Sequence, residues 1–364
     1  MNLPKSASSS SSSVQPRRDA RKAGLLYVAD SQPGIGRIKS GEHFVYQNNR
    51  GKRIHDARTL RRIRSLVIPP AWTHVWICSH PNGHIQATGR DARRRKQYRY
   101  HPKWVEVRDR NKYDHMLAFG KILPRLRRQV KADLRLRGLP KEKIVATVIR
   151  LLETTLIRVG NDAYARDNHS YGLTTMRNRH AHVGSKIIEF DFKGKSGKRH
   201  HIELADPQLA RIVRQCQDLP GQDLFAYRDE QNVAHAIGSQ DVNDYLRDKT
   251  GEDFTAKDFR TWIGTVLAAL AFHEFAEVTS QTQARQNVRT VVESVSKILG
   301  NTPAVCRKCY IHPEIIHSYL EGRMVKIVSK QIGENLSSHL NRLRPVEAAV
   351  LILLQRKLKQ RTTP

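Results

Sequence analysis

The chain is poor in acidic residues and in cysteine, and it has no long apolar run. Asp and Glu total 34 of 364 residues, against 64 Lys and Arg. The four cysteines do not have the spacing of a disulfide framework, which indicates a reducing compartment. The first residues lack the apolar core of a secretory signal, and no later stretch reaches the length of a membrane span. These absences predict a cytoplasmic protein without a membrane partner.

Patterns that bind nucleotides and metal ions are also missing. The chain has no Walker-type glycine loop and no cluster of acidic residues. Cys306 and Cys309 form one CxxC pair, which supplies only half of a tetrahedral zinc shell, and no second pair accompanies it. We therefore predict no metal site and no cofactor.

The formal charge is +30 and the isoelectric point is near 10.4. Such an excess favours binding to a polyanion, because phosphate contacts release condensed counterions. The predicted partner is double-stranded DNA, which implies association with the nucleoid. Ribosomal and chromatin-packaging proteins have a similar charge balance, so charge predicts the class of partner and no reaction.

Composition and periodicity divide the chain into three segments, which predict an α+β protein. Residues 1–24 contain a serine run and several basic residues, and we interpret them as a disordered tail. Residues 25–107 contain short β-branched and aromatic runs between Gly and Pro turns, which predict a small β-rich DNA-binding domain. Residues 108–364 have mainly helical periodicity with one β-hairpin, which predicts a larger helical catalytic domain.

Basic and aromatic residues alternate near the end of the β-rich segment, in the run from Thr88 to His101. Such a segment can neutralise phosphates while its planar side chains approach bases or sugars in a groove. A solvated basic loop is the alternative. The residues that we predict to contact DNA here are Arg90, Gln97, Tyr98 and Tyr100.

The helical segment contains a helix predicted from Lys141 to Val159, with Arg158 in its last turn. Tyr164 follows shortly after, either at the DNA backbone or as an ordinary half-buried tyrosine. Alternating apolar residues between positions 188 and 204 then predict a hairpin with Lys195 at its exposed tip. An arginine at a helix end commonly complements the helix dipole, and lysine is common in turns, so neither residue indicates catalysis alone.

Two further helices lead to a tyrosine. Thr255 begins one of them with a capping-box pattern, and Arg260 lies in its first turns beside Lys257, which is a predicted phosphate contact or a surface lysine. A valine-rich stripe ends at Gly300, and a short helix after it leads to Tyr310. Tyr310 alone would be interpreted as an ordinary packed tyrosine.

In this order and with these neighbours, the chain resembles the type IB DNA topoisomerases, in particular the small poxvirus and bacterial enzymes. The motifs that carry the resemblance are Ile157–Asn161, the Gly-Lys turn at Lys195, Lys257–Trp262 and Leu299–Tyr310, and the likeness extends from about Leu25 to the end. It implies a topoisomerase IB or tyrosine recombinase type of fold. Its catalytic set corresponds to Arg158, Lys195, Arg260, Asn301 and Tyr310.

The resemblance implies that a monomer relaxes supercoiled DNA without ATP or metal, through a transient nick and a 3′-phosphotyrosyl link. At pH 7 only about one phenol in a thousand is ionised, so Tyr310 needs activation by its surroundings. Two residues depart from the poxvirus pattern. Asn301 stands where those enzymes carry histidine, so it can donate a hydrogen bond but is a poor acid or base. Asn161 stands where they carry lysine, so their pyrimidine-rich target preference is not transferred.

Two alternatives differ in the reaction. A tyrosine site-specific recombinase uses a similar catalytic set, but such enzymes generally have His-x-x-Arg where this chain has Lys257-x-x-Arg260. A noncatalytic DNA-packaging protein would also be basic, and its tyrosine would be structural. Relaxation of plasmid by a monomer distinguishes the topoisomerase from both.

Overall fold

The structure is a computed structural model that describes residues 14–92, 94–275, 280–322 and 343–362. Residues 1–13, with the serine run of the predicted tail, lie outside these ranges. The chain forms two compact units, one ending at Asp114 and the other beginning at His115. The sequence places this boundary at 107/108 instead. Both positions lie inside one helix, α3 (Pro102–Asp133), and helical periodicity does not mark where the packing partners change.

The first unit contains an antiparallel sheet in the order β2-β1-β3-β4-β5. Its core combines β-branched side chains of the strands with Ile63 from a short helix, which is 2% exposed. Asp56 caps that helix by accepting a hydrogen bond from the Thr59 N–H. The elements are β1 (Ile35–Ser40), β2 (His43–Gln47), α2 (Ala57–Ser65), β3 (Thr73–Ile77), β4 (Ile85–Arg90) and β5 (Lys96–Tyr100).

Part of the predicted disordered tail is helical. Helix α1 (Val14–Lys22) contributes Ala20 to a small cluster with Leu25 and Trp104. Ala20 is fully buried there. The difference from the prediction arises because the basic composition of this stretch hides one small apolar residue, and Trp104, which covers it, is distant in sequence.

The second unit is mainly helical. Together with the β-sheet of the first unit, it confirms the predicted α+β class. Its core includes Trp262, Phe119 and Phe259, all buried. The helices after α3 are α4 (Lys141–Thr155), α5 (Asp162–Asn168), α6 (Pro207–Gln217), α7 (Ser239–Thr250), α8 (Ala256–His273), α9 (Gln281–Leu299), α10 (Pro303–Cys309), α11 (Pro313–Leu320) and α12 (Leu343–Thr362).

The predicted hairpin is present in a three-stranded antiparallel sheet, ordered β6-β7-β8. Strands β7 (Ile187–Lys193) and β8 (Arg199–Ala205) pair throughout, and Lys193 lies opposite Arg199 at the last rung. The short 3-10 turn Lys195–Gly197 joins them, with Lys195 exposed as predicted. The remaining strands are β6 (Ala181–Val183), β9 (Ala226–Arg228) and β10 (Ala234–Ala236), and two further 3-10 turns span Leu173–Thr175 and Asn178–His180.

Two helix ends near the catalytic motifs form as predicted. At the start of α8 the Asp258 carboxylate accepts hydrogen bonds from both the N–H and the hydroxyl of Thr255, at 2.8 and 2.9 Å. Gly300 ends α9 with φ +61°, a left-handed conformation in which glycine avoids the steric cost of a Cβ.

A buried charged cluster attaches α12 to the helical core. Arg127 of α3 donates two hydrogen bonds to Glu347, at 2.7 and 2.8 Å, and one to Glu153, at 2.5 Å. The Trp262 indole N–H donates to the same Glu347 at 3.2 Å. Burial acts to lower the pKa of Arg127, but the bonds to both carboxylates outweigh it and raise that pKa above its usual value.

We predict that Arg127→Met destabilises the protein by about 3–5 kcal/mol, because Glu347 and Glu153 lose the cation that they share and, among the described residues, Glu153 keeps only Arg150, at 3.3 Å. Urea unfolding followed by circular dichroism measures this loss. Arg128→Met is the control, because Arg128 is exposed on the same helix. Equal stabilities of the two variants would contradict the prediction.

Candidate active site

Arg158 follows α4 rather than lying in its last turn, so the predicted helix Lys141–Val159 is too long. Leu156 ends α4 in the left-handed conformation, with φ +58°. The Arg158 carbonyl then accepts a hydrogen bond from the Leu173 N–H at 2.8 Å. A Cβ at Gly172 would lie 2.5 Å from the same carbonyl oxygen. The chain therefore leaves the helix early because its backbone pairs with a distant turn.

The Arg158 side chain is held against the turn between α9 and α10. Its Nη2 donates to the Asn301 Oδ1 at 2.7 Å and to the Gly300 carbonyl at 3.2 Å. The Asn301 amide nitrogen lies 3.4 Å from the Leu299 carbonyl. Burial lowers the pKa of Arg158, and the nearby Tyr310 phenol opposes that effect. Asn301 thus orients an arginine that is largely withdrawn from water.

Arg260 is buried, with 5% of its surface exposed. Its guanidinium donates to the Leu156 carbonyl and, at 2.5 Å, to the Leu299 carbonyl. Its Nε is buried and has no hydrogen-bond partner among the described residues. Burial first, and then the neighbouring Arg158, lower its pKa to about 10. One buried and one half-buried guanidinium group, neither of them paired with a carboxylate in the described part of the chain, form a site that favours an anion.

Tyr310 directly follows α10, which Thr302 caps through its side-chain oxygen. The Tyr310 N–H donates to the Cys306 carbonyl at 2.9 Å, and the Tyr310 carbonyl accepts from the Thr265 hydroxyl at 3.1 Å. A Cβ at Gly264 would lie 2.9 Å from that carbonyl oxygen, so this glycine allows α8 to approach. The ring centroid lies 5.6 Å from the Arg260 Cζ, and the side chain is half-buried.

One cleft of about 330 Å³ brings four of the five predicted catalytic residues together. Asn301 does not line the cleft, but its side-chain oxygen accepts a hydrogen bond from Arg158. Two predicted DNA contacts, Tyr164 and Lys257, also line the cleft. Its lining is completed by small and polar residues; the full set is Arg158, Val159, Gly160, Asn161, Tyr164, Ser170, Tyr171, Lys195, Ala256, Lys257, Arg260 and Tyr310.

The other predicted DNA contacts lie in the first unit, on the hairpin of β4 and β5. Tyr98 and Tyr100 stack at 5.7 Å between ring centroids, and Tyr98 is 42% exposed. Gln97 already has a hydrogen-bond partner within the protein, because its amide donates to Asp91 at 2.9 Å. Arg90 is exposed and donates to a carbonyl of the turn that joins the two strands. Arg93, in that turn, lies outside the described residues.

The structure also draws attention to His200, which the sequence analysis does not select. Its ring stacks on Phe192 across the hairpin, with centroids 5.1 Å apart. The pairing of position 192 with position 200 in β7 and β8 places both side chains on one face. The alternation of side chains along the two strands predicts that both rings lie on this face, but it indicates packing and no functional role.

Within the described ranges, no group of three or more His, Cys, Asp and Glu side chains is arranged to hold a metal ion. Cys306 is buried and Cys309 half-buried, and both are free thiols. Burial raises the pKa of the Cys306 thiol to about 11. The helices of the described residues include none that is long and apolar enough to cross a membrane.

Two protein families match the chain. The catalytic core of eukaryotic DNA topoisomerase I matches residues 100–336, and the N-terminal domain of bacterial DNA topoisomerase IB matches residues 43–91. DNA topoisomerase 1B of Acanthamoeba polyphaga mimivirus is 30% identical over 285 residues, which cover 76% of this chain and 85% of the relative.

More distant relatives agree with these matches. DNA topoisomerase I of Monkeypox virus and DNA topoisomerase 1B of Vaccinia virus (strain Copenhagen) are each 19% identical over 247 residues, covering 66% of this chain and 74% of the relative. The chain belongs to the type IB DNA topoisomerases, and it is an enzyme that relaxes supercoiled DNA.

Proposed function

We propose that Tyr310 is the nucleophile that cuts one strand of duplex DNA. Its phenolic oxygen attacks a backbone phosphorus, forms the 3′-phosphotyrosyl bond and releases the 5′ oxygen of the next nucleotide. The phenolic proton passes to water. The observation that carries this proposal is the single cleft in which Tyr310 faces Arg158, Arg260 and Lys195.

Arg158 and Arg260 stabilise the charge that develops on the non-bridging oxygens during this attack. A planar guanidinium can donate paired hydrogen bonds to a phosphate, and burial strengthens such bonds. Arg260 lines the cleft, and its Nε has no hydrogen-bond partner among the described residues. Asn301 fixes Arg158 through the 2.7 Å bond.

Lys195 is the general acid in this proposal. The leaving 5′ oxygen needs a proton as its bond to phosphorus breaks, and a lysine ammonium positioned beside it can supply one. An exposed hairpin tip that lines the cleft supports this role.

The proposed cycle uses neither ATP nor metal. The phosphotyrosine conserves the energy of the cleaved bond, so the 5′ hydroxyl can attack it and reseal the strand. Between the two steps, torsion in the DNA drives rotation about the intact strand, which removes supercoils of either sign. We propose that the enzyme does this as a cytoplasmic monomer bound to the nucleoid.

Wild-type protein should relax positively and negatively supercoiled plasmid in EDTA without ATP. A denaturant added during the reaction should trap protein on the 3′ end of the nick and leave a free 5′ hydroxyl, which a kinase can label. Attachment to the 5′ end, or a requirement for ATP or Mg²⁺, would refute the proposed reaction.

The DNA contacts proposed beside the catalytic set are Arg90, Gln97, Tyr98, Tyr100, Tyr164 and Lys257. Lys257 is exposed and lines the cleft, which suits contact with a phosphate. Tyr98 and Tyr100 present a stacked pair to which a sugar or base can pack.

We predict that Lys257→Ala weakens DNA binding and lowers the slope of log affinity against log salt by about 1, because one phosphate contact is lost. Fluorescence anisotropy across a salt series measures the slope. Lys186→Ala is the control, since Lys186 is exposed but does not line the cleft. An unchanged slope for Lys257→Ala would remove this residue from the set.

A further inference from the structure

His200 occupies the space between two backbone segments that precede predicted catalytic residues. A Cβ at Gly194 would lie 2.6 Å from the His200 Cδ2 and 2.7 Å from its Nε2. Gly194 directly precedes Lys195. The ring therefore fills the space beneath the hairpin tip so closely that only a glycine fits opposite it.

The opposite side of the same ring reaches the turn after α9. A Cβ at Gly300 would lie 3.3 Å from the His200 Cε1 and 3.8 Å from the Arg158 Nη1. Gly300 directly precedes Asn301, and its carbonyl accepts a hydrogen bond from Arg158. One imidazole thus separates the backbone that carries Lys195 from the backbone that carries the Arg158–Asn301 pair.

The surroundings favour an uncharged ring. Burial first, and then Arg158, Lys198 and Arg260, lower the pKa of His200 below the usual range for histidine. Phe192, against which the ring stacks, is 4% exposed and apolar. A neutral ring can pack tightly here, whereas a protonated one would add a third charge beside the two arginines.

We propose that His200 is a positioning residue for strand cleavage: its ring sets the distance between the Lys195 hairpin tip and the Arg158–Asn301 pair, so that Lys195 meets the leaving 5′ oxygen. The inference rests on the proposed role of Lys195 as general acid. It also explains Gly194, since a larger residue at that position would displace the ring.

The proposed role of His200 concerns strand cleavage, so the assay must measure that step alone. The substrate is a duplex carrying a cleavage site mapped with wild-type enzyme, and the rate of covalent complex formation is measured in a single turnover. We expect His200→Ala to lower that rate about 100-fold, as a displacement of about 1 Å in a catalytic group does, with DNA affinity unchanged. His201→Ala is the matched control, because His201 is the next residue and is exposed.

His200→Phe keeps a flat ring on Phe192 and should cleave within about fivefold of wild type, which separates ring packing from imidazole chemistry. Gly194→Ala places a Cβ against the His200 ring and so disturbs the same contact. It should reproduce the His200→Ala defect while retaining the histidine. If His200→Ala lowers the melting temperature, these two folded variants decide the question. Wild-type rates for Gly194→Ala and His200→Ala, or a loss in His200→Phe as large as in His200→Ala, would overturn the proposal.

A substrate with sulfur in place of the bridging 5′ oxygen identifies which step is affected. Sulfur leaves without protonation, since a thiol has a pKa of about 8.5 against about 15.7 for water. We expect this substrate to restore most of the rate of His200→Ala, and of Lys195→Ala alongside it. If Lys195→Ala is restored but His200→Ala is not, the positioning inference fails alone. If neither is restored, the general-acid role of Lys195 fails with it.

The pH profile gives a further readout. Protonation of His200 would place a cation beside Arg158, Lys198 and Arg260, so wild-type cleavage should decline in acid, below the ordinary histidine pKa of about 6.5. His200→Phe cannot be protonated there and should lose this part of the decline. Identical acid profiles for the two proteins would contradict a neutral histidine as the positioning group.

Discussion

Tyr310→Phe is expected to abolish relaxation of supercoiled plasmid, with a fall in cleavage rate of about 10⁵-fold or more, the scale seen when a covalent enzyme loses its nucleophile. Phenylalanine keeps the ring beside Arg260 and leaves both backbone hydrogen bonds of residue 310 in place. DNA affinity and melting temperature should therefore stay close to those of wild type. Plasmid relaxation, denaturant trapping and anisotropy together measure the loss.

Tyr171→Phe is the matched control, because Tyr171 lines the same cleft. Its ring packs against His180, with centroids 4.4 Å apart, and this contact does not need the hydroxyl. Relaxation by Tyr171→Phe should fall by no more than about threefold. Covalent complexes formed by Tyr310→Phe and lost in Tyr171→Phe would reassign the nucleophile to Tyr171.

The features predicted well from sequence are those decided by neighbouring residues. Alternating apolar residues and a Gly-Lys turn fix the hairpin that presents Lys195. The Thr255–Asp258 cap and the left-handed Gly300 depend on hydrogen bonds and backbone conformations within four residues. Local chemistry therefore determines the conformation of these three motifs.

The position of Arg158 shows where such reasoning stops. The apolar stripe of α4 continues through Leu156, so periodicity alone extends the helix past its actual end at Thr155. The end is determined by partners far along the chain: the Leu156 carbonyl accepts from Arg260, and the Arg158 carbonyl accepts from the Leu173 N–H. No local sequence pattern predicts either contact.

The sequence does not predict the position of His200 or the first helix, for the same reason. His200 acquires its place from Gly300, which lies a hundred positions away, and its own sequence context is that of any strand residue. Ala20 is buried by Trp104, which belongs to α3. The resemblance predicts the catalytic set, and the tertiary structure adds groups that contact its predicted members.

Arg260→Lys should lower the rate of covalent complex formation about 10³-fold. The guanidinium binds the carbonyls of Leu156 and Leu299, at the ends of α4 and α9, and its buried Nε has no hydrogen-bond partner within the described ranges. A lysine ammonium lacks the planar fork and cannot hold both carbonyls while donating to a phosphate. Loss of one donor to transition-state charge costs about 10²–10³-fold in other enzymes, and this change also disturbs the position of Arg158.

The stability of Arg260→Lys should fall by about 1–3 kcal/mol, because at least one buried carbonyl loses its partner. Arg247→Lys is the control: Arg247 pairs with Asp244 and Asp253 on the exposed side of α7. Urea unfolding measures both variants, and cleavage is measured on the oxygen and sulfur substrates. The sulfur substrate should not restore Arg260→Lys, because the lost hydrogen-bond donors act on the non-bridging oxygens and not on the leaving group. Restoration by sulfur would instead assign Arg260 to proton delivery.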